Sequence, residues 1–172
     1  MKSHIFSFKK IVTNGGVMYV LAQILANFLN FIFNAYLGRE LSFEDYGLVT
    51  FITSLLYLAI VVINAIATTV NHRVAFLNGQ SGKVAGYKFY FFVQQKALLF
   101  SIGVAFLWLL LTPLLMKFFN IAEPWPILAF IPVLLFATLA AVSKGFLLGN
   151  FLFAFVGVIT VFEALSKLFL PF

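Results

Sequence analysis

The sequence predicts an all-α integral membrane protein with about five transmembrane helices, and three observations support this. Hydrophobic residues fill 63% of the 172 positions and charged residues only 9%, whereas a soluble domain has roughly a quarter of its residues charged. The mean hydropathy is +1.09. The apolar residues also form separate runs of about 20, the length that crosses a hydrocarbon core of ~30 Å as a helix.

Five runs qualify as spans, and only the last contains charged residues. They cover about 16–37, 48–70, 97–116, 125–143 and 151–170, here called spans 1 to 5. Span 1 exceeds the about 7–15 apolar residues of a secretory signal, so it is predicted to be a retained helix. Residues 1–172 are accordingly predicted to form a single transmembrane domain.

The distribution of Lys and Arg predicts the orientation. Eight of the eleven lie on the side of the amino terminus, namely Lys2, Lys9, Lys10, Arg73, Lys83, Lys88, Lys96 and Lys144. The positive-inside rule then places the amino terminus in the cytoplasm and the multi-pass chain in the cytoplasmic (inner) membrane. The segment 72–96 is predicted to be a long basic connection with turn signals at Asn78-Gly79 and Ser81-Gly82, and its second half is predicted to form an amphipathic helix that leads into span 3.

Side-chain amides line one face of span 1. The spacing +4, +3, +4 places all four within an arc of ~60° on a helix. We call this set the α1 stripe, and it consists of Gln23, Asn27, Asn30 and Asn34. An unpaired amide in hydrocarbon costs about 2–7 kcal/mol depending on the reference state, so the stripe is predicted to face protein or water rather than lipid.

Span 2 carries a second stripe in the same register. We call it the α2 stripe, and it consists of Ser54, Tyr57, Asn64, Thr68 and Asn71. Two interpretations of these stripes remain open, which are hydrogen bonding between helices and the wall of a hydrated cavity. The two are compatible, since one part of a helix can line water while the rest packs.

Span 5 places Glu163 four residues before Lys167. Charges inside a span are costly and often functional, so the pair is one candidate for a charged element in a substrate path. The alternative is a self-neutralised pair near the outer interface, because Glu to Lys at i,i+4 is a favourable orientation.

Several functions are not expected from this sequence. It has no P-loop, nucleophile-elbow or zincin motif and no cysteine, so we predict no enzymatic activity, no cofactor and no metal site. The net charge of +6 comes from residues at the ends of apolar runs, which is typical of membrane topology rather than of nucleic-acid binding.

Short motifs from residue 22 onward resemble a known family. The motifs are Leu37-Gly38, Glu44, Tyr46-Gly47, the hairpin Lys144-Gly145 to Gly149, and the pair Glu163 and Lys167. Over residues 11–170 the chain resembles the front end of Wzx-type polysaccharide or oligosaccharide flippases. These belong to the multidrug/oligosaccharidyl-lipid/polysaccharide (MOP) superfamily.

The resemblance implies a MATE-like fold of two six-helix lobes around a central cavity open alternately to either side. The chain would supply most of the first lobe, as a fragment of a longer protein or with a second subunit. The implied substrate is a polyprenyl-diphosphate-linked oligosaccharide flipped across the membrane in cell-envelope polysaccharide biosynthesis. The stripes would meet sugar hydroxyls, and the basic rim of Arg73, Lys83 and Lys88 would attract the diphosphate.

Two other functions remain open. A MATE-type cation-coupled drug exporter needs a titratable group in the membrane, and Glu163 is the only acid within the five predicted spans. The second alternative is a membrane scaffold or partner subunit that is complete at five spans and transports nothing.

Overall fold

A computed structural model describes the backbone of residues 2–119, 121 and 123–169, and the side chains of these residues from Gly15 onward. The described part is helical with short connections and contains no strand. Its elements are α1 (Lys2–Glu40), α2 (Phe43–Ser81), α3 (Lys83–Phe119), the short α4 (Trp125–Leu128), α5 (Phe130–Gly149) and α6 (Phe153–Phe169). The side chains of Lys2, Lys9 and Lys10, on which the orientation partly rests, lie outside the described set.

Four stretches are long and apolar enough to cross a membrane, which supports a multi-pass membrane protein. They are Gly15–Glu40, Phe43–Ser81, Lys83–Phe119 and Trp125–Gly149, and they contain predicted spans 1 to 4. Span 5 coincides with α6, whose 17 residues are at the lower end of the range that crosses a bilayer. The fifth crossing therefore stays a prediction, and residue 170 at its end is outside the described set.

The second half of 72–96 is helical, as predicted, and α2 ends at the predicted turn Ser81-Gly82. The loop predicted before that turn is wrong, because α2 continues through Asn78-Gly79. Only Gly82, with φ of +80°, separates the two helices. The Asn78-Gly79 turn signal is overridden by packing, since the Asn78 amide occupies the space that a side chain at Gly86 would need. Further up the same hairpin, Val74 is fully buried. Burial of both helices thus outweighs the local turn preference.

The chain forms two compact units, residues 1–46 with 147–172 (unit 1) and residues 47–146 (unit 2). The core of unit 2 is built by α2, α3 and α5 around Val70, Val74, Ala97 and Val142. Gly145 of α5 lies directly against the backbone carbonyl of Ala67 on α2, and this close approach leaves no room for a side chain. The α2–α5 contact in unit 2 therefore depends on a glycine.

Two short connections within unit 1 have clear local causes. The Ser42 hydroxyl accepts the Asp45 N–H at 3.2 Å and donates to the Asp45 carboxylate at 2.6 Å, which caps the start of α2 as short polar residues commonly do. After α5 the chain reverses at Phe151, whose φ of 61° lies in the left-handed region. The Leu152 N–H then donates to the Leu147 carbonyl at 3.0 Å, as in a Schellman cap.

Trp108 ties α3 to the break between α4 and α5 in unit 2. Its indole N–H donates to the Ile127 carbonyl at 3.0 Å, and its ring lies 4.7 Å from that of Phe130. Carbonyls at the end of a helix lack part of their helical partners. The indole therefore satisfies a buried backbone group.

Trp108→Phe is expected to lower the free energy of unfolding by about 0.5–1.5 kcal/mol, because it keeps a ring but removes one hydrogen bond to a buried carbonyl. Chemical denaturation in mixed micelles measures the change. Trp125→Phe is the matched control, since Trp125 is 73% exposed. Equal losses for both substitutions would contradict a role for the indole hydrogen bond.

Candidate functional site

Unit 1 is a pair of helices, α1 and α6, that run in the same direction. Gly15 lies against Phe153 at one end, and Gly157 lies against Ala22 further along. Ala26 on α1 and Ala164 on α6 are both buried at 2% exposure. Small residues of this kind let membrane helices approach closely. The parallel direction is the one expected if the helices are the first and fifth spans of an up-and-down chain.

The α1 stripe lies at the edge of this packing face and extends away from it. Asn30 continues the register of Ala22 and Ala26 and is half-buried, whereas Asn27 and Asn34 are exposed. Gln23 is half-buried, and its Nε2 is covered without a hydrogen-bond partner among the described residues. Alanine and glycine, rather than the amides, thus supply most of the α1–α6 contact.

One amide does bond to α6. The Lys167 ammonium donates to Asn30 Oδ1 at 3.3 Å, and Asn34 Nδ2 donates to the Asn30 backbone carbonyl at 2.9 Å. Among the described residues no ion pair joins Glu163 to Lys167. The structure therefore connects Lys167 to the α1 stripe, a contact that the i,i+4 spacing of the pair did not suggest.

The α2 stripe points away from the core of unit 2. Residues 66, 70 and 74, which pack toward that core, lie roughly 150° around the helix from the centre of the stripe at 100° per residue. Tyr57, Asn64 and Thr68 are exposed and Asn71 is half-buried. Ser54 is exposed too, and its hydroxyl donates to the Thr50 carbonyl of its own helix at 2.8 Å. The α2 stripe therefore does not take part in the core packing of unit 2.

The predicted basic rim lies on the helical hairpin that replaces the predicted loop. Arg73 is near the end of α2, and Lys83 and Lys88 are at the start of α3, all three exposed. The Arg73 guanidinium lies 5.4 Å from the centre of the Phe76 ring, within the range of a cation–π contact. The three cations thus belong to one exposed end of unit 2.

Sequence analysis missed a buried polar line inside unit 2. Ser101 and Thr112 on α3 and Thr138 on α5 are buried at 3%, 6% and 7% exposure, and each hydroxyl donates to a carbonyl of its own helix. Tyr90 and Ser143 link α3 to α5 through their hydroxyls at 3.2 Å. Tyr90, Ser101 and Thr112 are spaced eleven residues apart, which places them on one face of a helix. This spacing could have predicted the buried polar line from the sequence.

An apolar cleft in unit 2 adjoins this line. It encloses about 310 Å³ between α2, α3 and α5, and Leu55, Ile63, Phe100 and Leu134 are among its lining residues. None of the lining residues belongs to the α2 stripe. The cleft and the stripe are therefore separate surfaces of the described part of unit 2.

The described residues contain no group of three or more His, Asp or Glu side chains that could hold a metal ion. Comparison with known proteins found no family model, no curated protein and no solved structure that matches this chain. The fold therefore defines the class on its own, a multi-pass helical membrane protein with two exposed polar stripes and a basic helical hairpin.

Proposed function

We propose that the chain is the N-terminal portion of an alternating-access flippase for polyprenyl-diphosphate-linked oligosaccharides in the cytoplasmic membrane. The observation that carries the proposal is the exposure of the stripes. Asn27, Asn34 and Asn64 lie within predicted spans and are exposed on the described chain. Polar groups at membrane depth need water, protein or substrate as a partner, and amides suit sugar hydroxyls because they both donate and accept hydrogen bonds.

The charged residues support the same substrate class. A diphosphate is anionic, and the exposed cations Arg73, Lys83 and Lys88 would attract it to the cytoplasmic entrance. Within unit 1, the Lys167 ammonium donates a hydrogen bond to Asn30 at the edge of the amide stripe. Neutral amides with fixed cations are a suitable lining for a glycan that carries a phosphorylated end.

A MATE-type drug exporter is the second candidate, and Glu163 is the observation that favours it. Glu163 is exposed and has no ion-pair partner among the described residues, so it is available to couple transport to a cation. A non-transporting scaffold is the third, and its polar stripes would then be covered by another protein.

Cysteine labelling tests the cavity, and the chain suits it because it contains no cysteine. We expect single cysteines at 27, 34 and 64 in the intact protein to react with a membrane-impermeant thiol reagent. Cysteines at Leu21 and Phe28, both 59% exposed and roughly 130–150° around α1 from the centre of the stripe, are the matched controls and should stay protected by lipid. Protection at 27, 34 and 64 as well would exclude a hydrated cavity.

Loss of the gene in its host tests the substrate class. A flippase mutant should accumulate lipid-linked glycan on the cytoplasmic side and lose surface polysaccharide, while drug susceptibility stays unchanged. Increased drug susceptibility with normal polysaccharide would instead favour the exporter. No change in either would favour the scaffold.

A further inference from the structure

The hairpin formed by residues 71–96 projects beyond the hydrocarbon layer. α2 has 39 residues and α3 has 37, so they are about 58 and 55 Å long at 1.5 Å per residue. The hydrocarbon core takes only ~30 Å of each. The uncharged runs 48–70 and 97–116 occupy that core, which leaves most of the excess length at the Gly82 end.

The Lys and Arg residues of the hairpin have no acidic counterpart within it. Arg73, Lys83, Lys88 and Lys96 lie within it, and the sequence contains no Asp or Glu between Asp45 and Glu123. All four cations are exposed. The surface therefore has no internal counter-charge, and its complement is an anion.

Exposed aromatic rings lie among these cations. Phe91 and Phe92 on α3 are 62% and 58% exposed. The Lys96 ammonium lies 5.8 Å from the centre of the Phe92 ring, and Lys88 recurs four residues before Phe92 on the same helix face. Exposed phenyl rings are costly in water, but the Phe side chains of basic amphipathic helices insert favourably at the boundary between headgroups and acyl chains.

The position of Phe91 and Phe92 along α3 matches the depth of the headgroup layer. Outward-facing residues of α3 are apolar from Leu98 to Leu114, so the hydrocarbon boundary at the Gly82 end falls near Lys96. Phe92 then lies about 9 Å from Leu98 along the axis at 1.5 Å per residue, close to the depth of the polar headgroups. On the neighbouring helix the Arg73–Phe76 pair is at a similar level, because Asn78 lies opposite Gly86 in the antiparallel hairpin and this register places residues 73–76 opposite residues 88–91.

We infer that the face of α3 formed by Lys88, Phe91, Phe92 and Lys96 binds an anionic phospholipid. The two ammonium groups contact the headgroup phosphate region, and the two rings pack on the glycerol and upper acyl chain. Binding requires α2 and α3 to span the membrane but does not require the transport function. An acidic protein partner fits less well, because the rings lie at headgroup depth.

The test uses the purified full protein in a neutral detergent, with phosphatidylglycerol as the probe and native mass spectrometry to count bound lipid. We expect phosphatidylglycerol to bind more tightly than phosphatidylcholine. Lys88→Gln together with Lys96→Gln should weaken phosphatidylglycerol binding roughly 25-fold, about fivefold for each charge removed near a membrane surface. Arg39→Gln with Lys117→Gln, exposed cations elsewhere in the chain, is the matched control and should change little.

Two further measurements separate the headgroup from free phosphate and from folding. Glycerol phosphate, which has no acyl chains, should compete only weakly, since the rings supply part of the binding. Thermal unfolding in detergent alone should be the same for both double variants. Equal binding of the two phospholipids, unchanged binding by the Lys88 and Lys96 variant, or full displacement by glycerol phosphate would each overturn the inference.

Discussion

Leucine in place of both Asn27 and Asn30 is expected to lower glycan export roughly 5- to 150-fold in cells that depend on this protein. Each substitution removes an amide that can bond to a sugar hydroxyl, and a hydrogen bond contributes about 0.5–1.5 kcal/mol net. Two lost bonds therefore correspond to roughly 1–3 kcal/mol, and 1.4 kcal/mol is a factor of ten. The readout is surface polysaccharide, normalised to the amount of inserted protein.

The control for this prediction comes from the same helix. Phe28→Leu with Phe31→Leu changes two exposed positions of α1 that lie outside the stripe, and export should be kept. Asn27→Leu alone separates substrate binding from loss of the Asn30–Lys167 bond, because Asn27 is not part of it. Unchanged export in the Asn27 and Asn30 variant would remove the stripe from the transport path.

Alanine in place of Gly145 is expected to reduce the free energy of unfolding by about 1–3 kcal/mol, the usual cost of overpacking a tight contact. The added Cβ would collide with the Ala67 backbone carbonyl and lie 2.9 Å from Val70 Cβ. A backbone carbonyl cannot rotate away as a flexible side chain does, so α2 and α5 would have to move apart. Leucine at 145 should have a larger effect.

Gly103→Ala is the control for Gly145→Ala, and it is not expected to destabilise the protein. Gly103 is a helical glycine of α3 with no atom within 4 Å of an added Cβ. Alanine there is expected to be neutral or to stabilise by up to ~1 kcal/mol, since glycine is a poor helix former. Detergent-micelle denaturation of the two variants measures the difference. Similar changes in the free energy of unfolding for Gly103→Ala and Gly145→Ala would show that the close α2–α5 contact does not determine the stability of the protein.

Features that depend on one segment alone could be predicted from the sequence, whereas features that depend on packing between segments could not. Hydropathy placed spans 1 to 4 inside the observed helices because burial in lipid acts on each segment separately. The loop predicted before Gly82 was wrong because Asn78-Gly79 is a local turn signal, whereas its helical state depends on packing against Gly86. Phe151 takes a positive φ, although Gly149 and Asn150 just before it are the residue types that adopt this conformation more readily.

Composition and periodicity alone thus determined that this chain is a helical membrane protein with amides aligned on its first two helices. Only the tertiary structure decided which of those amides bond to another helix, by joining Asn30 to Lys167 and leaving Asn27 and Asn64 exposed, while Asn34 bonds within its own helix. The reason is physical. Periodicity specifies the face of a helix on which a residue lies, but the partner of that face depends on contacts between segments distant in sequence, here 137 residues apart.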